Sequence, residues 1–209
     1  MQSYKEFLDM LKSLEDKPKL LLHVCCAPCS SHPLLLLKEY FNITILYSND
    51  NIYPYSEYEY RLNEVIEFTN KIDSKINVIA LDYNDKDFYD AIKGLEKLGE
   101  KSKRCYECYK LRLTKTAQMA SKLKMDYFTT VLSISPHKND KWINEIGYEL
   151  EKIYDVKFLY SNFKKDEGYK KSIILSKEYN LYRQDYCGCI FSKEERSILN
   201  DTFKKENKN

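Results

Sequence analysis

The 209-residue chain has little of what interrupts regular structure, with only five glycines and five prolines. That scarcity excludes collagen-like, linker-dominated and low-complexity architectures. Long apolar runs are missing too. The longest, around Leu20–Leu22 and Leu34–Leu37, fall far short of the roughly 20 residues that a membrane span requires. Neither sign of charge dominates: 34 Lys and Arg face 32 Asp and Glu, a formal net charge of +2. A histone-like or polyanionic protein is therefore excluded, and any nucleic-acid contact must use local patches. The first residues, MQSYKEFLDMLKSLEDKPK, mix acids with bases and carry no apolar secretory segment. No period of 20–50 residues recurs, which argues against a solenoid. The expectation is a soluble, cytoplasmic chain of one domain with no membrane partner, long enough to bury a real core.

Cysteine is where the sequence becomes unusual. There are seven, and an odd number cannot be fully paired internally. In a reducing compartment, clustered cysteines indicate metal binding or redox chemistry more than structural bridges. They fall into three groups: Cys25, Cys26 and Cys29 in HVCCAPCSSHP, Cys105 and Cys108 in KRCYECYKLRL, and Cys187 and Cys189 in YRQDYCGCIFS. Free cysteines also behave as small buried hydrophobes, a role that suits scattered residues better than three tight clusters.

Short apolar runs alternate with longer helical patterns. Expected strands are Lys19–Cys25, Ile43–Ser48, Asn77–Leu81, Tyr127–Leu132 and Val156–Tyr160, mostly continuous in hydrophobicity as in a parallel sheet covered on both faces. Leu62, Val65, Ile66 and Thr69 form one helical stripe, Leu113, Ala117, Ala120 and Leu123 a second, and Trp142, Ile146, Leu150 and Ile153 a third. Each is read as a core-facing stripe. The pattern predicts a doubly wound α/β fold with a mostly parallel five-stranded sheet and helices on both faces. Within it, 1–18 is an amino-terminal helix, 19–160 the sheet and crossover helices, 161–200 a helical extension carrying the CGC segment, and 201–209 a frayed tail. Such sheets bind ligands beyond the carboxyl ends of their strands, so the first cysteine group, Asn49–Pro54, Asp82–Asp85 and Ser133–Asp140 should converge on one rim.

Cys105 and Cys108, three apart at a helix start, share one face of its first turn, where the helix dipole favours thiolates. Adjacent Cys25 and Cys26 would point to opposite faces of a regular strand. To bind one group together, the backbone there must leave strand geometry, and Ala27-Pro28 makes that credible. An extended Cys187-Gly188-Cys189 puts both sulfurs on one side, and glycine permits close approach. A tetrahedral zinc site would use four thiolates and leave three unassigned. The alternative is a [4Fe–4S] cluster on four cysteines with a second redox or metal centre on three. The ferredoxin C-x-x-C-x-x-C spacing is absent, so spacing alone leaves both readings open.

HVCCAPCSSHP, NxNIYPYxEYxxR at Asn49–Arg61, KRCYECYxLRL at Lys103–Leu113, TVLSISPHK at Thr130–Lys138 and FKKDEGYKKSIILSKEYNLYRQDYCGCIFS at Phe163–Ser192 together resemble the cobalamin-independent epoxyqueuosine reductase family. The resemblance spans about Lys19 to Ser192. It implies the last step in making queuosine in tRNA, the reductive removal of the epoxide oxygen of epoxyqueuosine at the wobble position. It also implies that Cys25, Cys26, Cys105 and Cys108 ligate a [4Fe–4S] cluster, and that Cys29, Cys187 and Cys189 form the site of a mononuclear iron. At that second site some family members use a carboxylate where this chain has Cys29. The implied fold is Rossmann-like, with the glycine-rich phosphate loop replaced by the cysteine loop. The chain has no GxGxxG or GxxxxGKS/T run, so no nucleotide is expected, and the family needs no cobalamin.

Converting an epoxide to an alkene consumes two electrons and two protons and releases water. An electron donor protein must supply the electrons, which cysteine-bound clusters pass one at a time. A three-cysteine iron would keep an open position for the epoxide oxygen. Alternatively, Cys187 and Cys189 act as a redox-active pair whose disulfide closes a small, strained ring. Tyr53, His137, Lys138, Asp185 and Tyr186 are candidate proton donors. His23, inside an apolar strand, is read as a core histidine. Asn49, Tyr53, Arg61, Arg183 and Gln184 are candidate substrate contacts. Between Lys101 and Lys124 there are eight Lys or Arg and one acid, Glu107. Lys110 and Lys115 are the expected phosphate contacts of the tRNA, with Lys164, Lys165, Lys170 and Lys171 a second basic cluster. The runner-up reading is a zinc-stapled RNA-binding module without redox activity.

Overall fold

The computed structural model describes residues 3–206. Five strands, β1 (Lys19–His23), β2 (Asn42–Tyr47), β3 (Asn77–Ala80), β4 (Tyr127–Thr130) and β5 (Lys157–Phe158), pair in parallel in the order β3-β2-β1-β4-β5. Strand β1 is central, with Leu22 level with Ile45 of β2 and with Thr129 of β4. Helices cover both its faces, so Leu20, Leu21 and Leu22 are all fully buried, and the sequence there reads as an unbroken apolar run.

The helices are α1 (Tyr4–Lys12), α2 (Ala27–Leu37), α3 (Tyr55–Ile72), α4 (Asp85–Ala91), α5 (Lys103–Lys122), α6 (Asp140–Tyr154), α7 (Gly168–Glu178) and α8 (Ile190–Glu206). Helix α2 packs on α3 and α7, whereas α5 packs on α4 and α6. This is the expected doubly wound, Rossmann-like α/β arrangement, with the sheet parallel throughout. Helix α1 opens with a capping box: Ser3 Oγ accepts from Glu6 N at 3.2 Å, and Glu6 Oε2 accepts from Ser3 N at 2.6 Å. It seats Phe7 and Leu11 in the core. Helix α6 lies so close to β5 that a Cβ on Gly147 would sit 2.4 Å from the Phe158 ring; any side chain there would force the two apart.

Several boundaries differ from the apolar pattern. Strand β4 stops at Thr130, because its Oγ1 accepts from Leu132 N at 3.2 Å and starts a 3-10 turn over Val131–Ile134. Strand β1 stops at His23, two residues before the expected end. Of the expected stripes, Val65, Thr69, Leu113, Ala117, Ala120, Ile146 and Leu150 are buried. Ile66, Leu123 and Ile153 are exposed, Ile153 at 68%, in a last turn closed by Asp155 at φ 52. Helix α8 continues to Glu206, since an established helix gains a bond for each residue it adds; residues 207–209 lie outside the described residues.

The strand order reverses between β1 and β4, which both lead to loops at their carboxyl ends. That crevice is where sheets of this kind place ligands.

Candidate active site

The turn after β1 carries the first cysteine group. Val24 N still reaches Leu46 O at 2.9 Å, and Cys26, still extended at φ −168, ψ 158, is the residue capping α2. No side chain caps that helix end, and Pro28 lies in its first turn. The adjacent thiols lie together at the strand-to-helix turn: Cys25 Sγ and Cys26 Sγ are 3.9 Å apart. Cys29, one turn into α2, completes a group whose three sulfurs all lie within 4.8 Å of one another. Hydrogen bonds from the other two thiols hold Cys25 well below the usual thiol range. Burial pushes Cys26 up to about 12, and the hydrogen bond to Cys25 raises Cys29. The trio thus gathers its negative charge on Cys25.

Cys105 and Cys108 sit in the first turns of α5, both buried. Burial raises both, Cys108 to about 12. Cys108 packs with Phe88, Ile92 and Cys189 in a small apolar cluster of its own. Cys187, Gly188 and Cys189 follow no strand; other parts of the chain hold them. Gly188 O accepts from Tyr53 N at 2.9 Å, and Lys138 Nζ donates to Cys187 Sγ at 2.5 Å. Cys189 Sγ accepts from Ser192 N at 3.4 Å, taking the place of a helix-capping oxygen at the start of α8. Gly188 has φ +124, and a Cβ there would meet Arg61 Nη1 at 3.2 Å and Ile52 Cγ1 at 3.3 Å, so the position requires glycine.

These segments border a cavity of about 310 Å³. Of the expected site residues, Cys25, Cys29, Cys187, Arg183 and Gln184 line it, as do His137, Lys138, Asp185 and Tyr186. Gln184 Nε2 donates to Cys26 Sγ at 3.2 Å. Arg183 Nη1 donates to Ser176 Oγ at 3.0 Å. Burial opposes the charge on Lys138, but neighbouring Cys187 and Tyr109 outweigh it and raise its pKa well above the ordinary lysine value.

Other expected residues take different places. Cys29, expected with Cys187 and Cys189, makes its thiol contacts with Cys25 and Cys26. Asn49 is 1% exposed, its Nδ2 donating to Val24 O at 2.9 Å and its Oδ1 accepting from Arg112. With both ends of its amide engaged, it ties the turn after β1 to helix α5. Tyr53 lies exposed beside the cavity, its carbonyl accepting from the Tyr186 hydroxyl at 3.1 Å. Lys115 is tied to Asp50 at 2.8 Å and Asp87 at 2.6 Å, so two carboxylates already neutralise the expected phosphate contact; Lys110 is exposed. In the second basic cluster, Lys164, Lys170 and Lys171 pair with Asp140, Glu167 and Asp166. His23 is fully buried, with its ring nitrogens 2.8 Å from Thr130 Oγ1 and 3.2 Å from Ser48 O.

One cavity residue carries no signal of its own in the sequence. Arg112 was counted within a basic stretch, yet it is 2% exposed and lines the cavity. It shares that lining with Cys25, Cys29 and Cys187 and follows Cys105 and Cys108 on the same helix. Spacing holds the missed signal: Cys105, Cys108 and Arg112 stand at i, i+3 and i+7 on one helix face.

The family model for epoxyqueuosine reductase QueH matches residues 20–195. The chain belongs to that family. A relative from Streptococcus pyogenes serotype M1, named epoxyqueuosine reductase QueH, is 41% identical over 186 residues, covering 87% of this chain and 73% of its own length. One of the same name from Thermotoga maritima is 41% identical over 182 residues, covering 84% and 91%. One from Staphylococcus aureus is 40% identical over 198 residues, covering 92% and 82%. The chain is thus an oxidoreductase, which overturns the reading as an RNA-binding module without redox activity. No helix among the described residues is long and apolar enough to cross a membrane.

Proposed function

We propose that this chain reduces epoxyqueuosine to queuosine at the wobble position of tRNA, removing the epoxide oxygen with two electrons and two protons. In this reading Cys25, Cys26, Cys105 and Cys108 hold a [4Fe–4S] cluster, and Cys29, Cys187 and Cys189 hold a mononuclear iron. The observation that carries it is the close trio of Cys25, Cys26 and Cys29 at a cavity that Cys25, Cys29, Cys187 and Arg112 line together. The donor set fits. Soft thiolates suit iron–sulfur chemistry, and seven exceed what one zinc ion uses. The buried cations Lys138 and Arg112 offset the negative charge that thiolate ligation brings.

Bound metal would supply single-electron transfer and an open position that polarises the epoxide oxygen. The chain's own residues do the rest. Gln184 and Arg183 line the cavity together with Cys25 and Cys29 and take the modified base. Lys138 holds a full positive charge at Nζ against Cys187 Sγ and fixes that sulfur's position. His137 carries an exchangeable ring proton on the same wall. Tyr53 and Tyr186 offer ring faces beside the cavity for the neighbouring anticodon bases. An electron donor protein completes the reaction.

Anaerobic purification tests this reading. A brown protein containing iron and acid-labile sulfide that turns over tRNA bearing epoxyqueuosine supports it. A colourless zinc protein, inactive with a strong chemical reductant, overturns it.

A further inference from the structure

Two guanidiniums are the largest fully buried side chains of the protein. Burying a charge is costly unless it is paired and hydrogen-bonded. Arg61 has a partial answer, since its Nε meets Glu57 Oε1 at 2.8 Å. Its guanidinium also lies 5.3 Å from the centre of the Tyr186 ring. Its Nη1 rests against Gly188, but Nη2 is buried without a hydrogen-bond partner. Arg112 is more exposed to this cost in energy than in solvent. Its Nη2 donates to the neutral amide oxygen of Asn49, its Nε is buried with no partner, and no carboxylate pairs with it among the described residues. Both also feel sulfur. The thiols of Cys26 and Cys25 act electrostatically on Arg61 beside Glu57, and Arg112 shares its cavity wall with Cys25, Cys29 and Cys187, one turn after Cys108 on α5.

We propose that Arg112 and Arg61 are the fixed counter-charges of the thiolate-held redox centre and set its reduction potential. The inference rests on the iron–sulfur reading above. Arg61 stands behind the Cys26 side, wedged against the turn at Gly188. Arg112 stands in the cavity wall between the cysteine groups. A guanidinium stays protonated throughout the accessible pH range, so both charges are permanent. The orphaned Nη2 and Nε are then donors reserved for sulfur, because hydrogen bonds to sulfur and nearby charge are the protein's means of tuning such centres. A reduced centre carries one more negative charge than an oxidised one, so a nearby cation stabilises the reduced form and raises the potential. Arg112 and Arg61 are positioning residues in this role, acting through the thiolates without touching the base.

The test compares anaerobically purified wild type with Arg112→Gln, Arg112→Lys and Arg61→Gln, measuring iron, acid-labile sulfide and the midpoint potential by spectroscopically monitored redox titration. Expected are a more negative midpoint in both glutamine variants and a near-wild-type midpoint in Arg112→Lys. If Arg112→Gln fails to retain iron while Arg112→Lys retains it, the requirement for charge stands. Unchanged midpoints in the glutamine variants would overturn the proposal, as would lysine and glutamine causing equal shifts or equal loss of iron. So would a raised KM for the modified tRNA at an unmoved midpoint, which would make Arg112 a substrate contact. A wild-type chain lacking iron and sulfide would instead defeat the iron–sulfur reading itself.

Discussion

The two ends of the cysteine constellation are built in different ways. Cys25, Cys26 and Cys29 ride on the turn from the central strand into α2, where Leu20, Leu21 and Leu22 fix the backbone from below. Cys187 and Cys189 lie beyond α7 in a segment without strand pairing. It is tethered by Tyr53 N to Gly188 O, by Lys138 to Cys187 and by the Tyr186 hydroxyl to the Tyr53 carbonyl. The first group is placed by the fold and the second by a few side chains. Such a division leaves the second group the freer to move, because segments with few buried apolar contacts open more readily.

The largest test of this contrast exchanges sulfur for oxygen. Cys26→Ser or Cys105→Ser should remove most of the visible absorption and lower stability, since metal binding is folding free energy. Cys187→Ser or Cys189→Ser should leave most of the spectrum and abolish turnover. Equal bleaching by all four would erase the distinction between the two ends. Next in size, Leu22→Ala should cost about 2–5 kcal/mol in denaturant unfolding, because the fully buried β1 cannot collapse around the gap. Tyr186→Phe, which loses the bond to Tyr53 O, should cost about 0.5–1.5 kcal/mol but speed hydrogen exchange selectively around 182–189. If exchange rose equally in β1, the tethered segment and the core would be one cooperative unit.

Smaller effects concern the surface. Lys110→Gln should flatten the log–log salt dependence of tRNA binding by roughly 0.7–0.9 if it meets one phosphate. Lys115→Gln should leave that slope alone, because Asp50 and Asp87 already hold its ammonium. The smallest effect is expected at Glu64, whose Oε1 accepts from Tyr182 N and whose Oε2 is buried without a partner. Burial raises its pKa above the ordinary carboxyl value. The native state therefore holds that proton more tightly than the unfolded one. Stability from this group is full below the ordinary value and falls as pH rises through the raised one. Glu64→Gln should remove that decline in a pH series of unfolding measurements.

Much of the fold was readable because apolar runs report burial directly. Leu20–Leu22 announced the central strand, and the alternation of runs and stripes announced the parallel sheet. Strand ends were less readable, since the Thr130 hydroxyl ends β4 while Val131 and Leu132 remain apolar. At the site, cysteine spacing marked every sulfur. What it hid was the fate of charge. Arg112 and Lys115 belong to one basic stretch, yet one is buried among thiols and the other locked between carboxylates. Only the tertiary contacts, made with residues more than sixty positions away, separate them.

The placement of the CGC segment so late in the chain also sets a timetable for synthesis. Cys29 precedes Cys187 by 158 residues (187 less 29). At ribosomal rates of about 5–20 residues per second, that is a delay of about 8–30 s. During that interval the nascent chain has neither Gln184 to cover Cys26 nor Tyr186 to cover Arg61. The first three thiols therefore meet the cell's iron, oxygen and chaperones before the segment that closes over them has been translated.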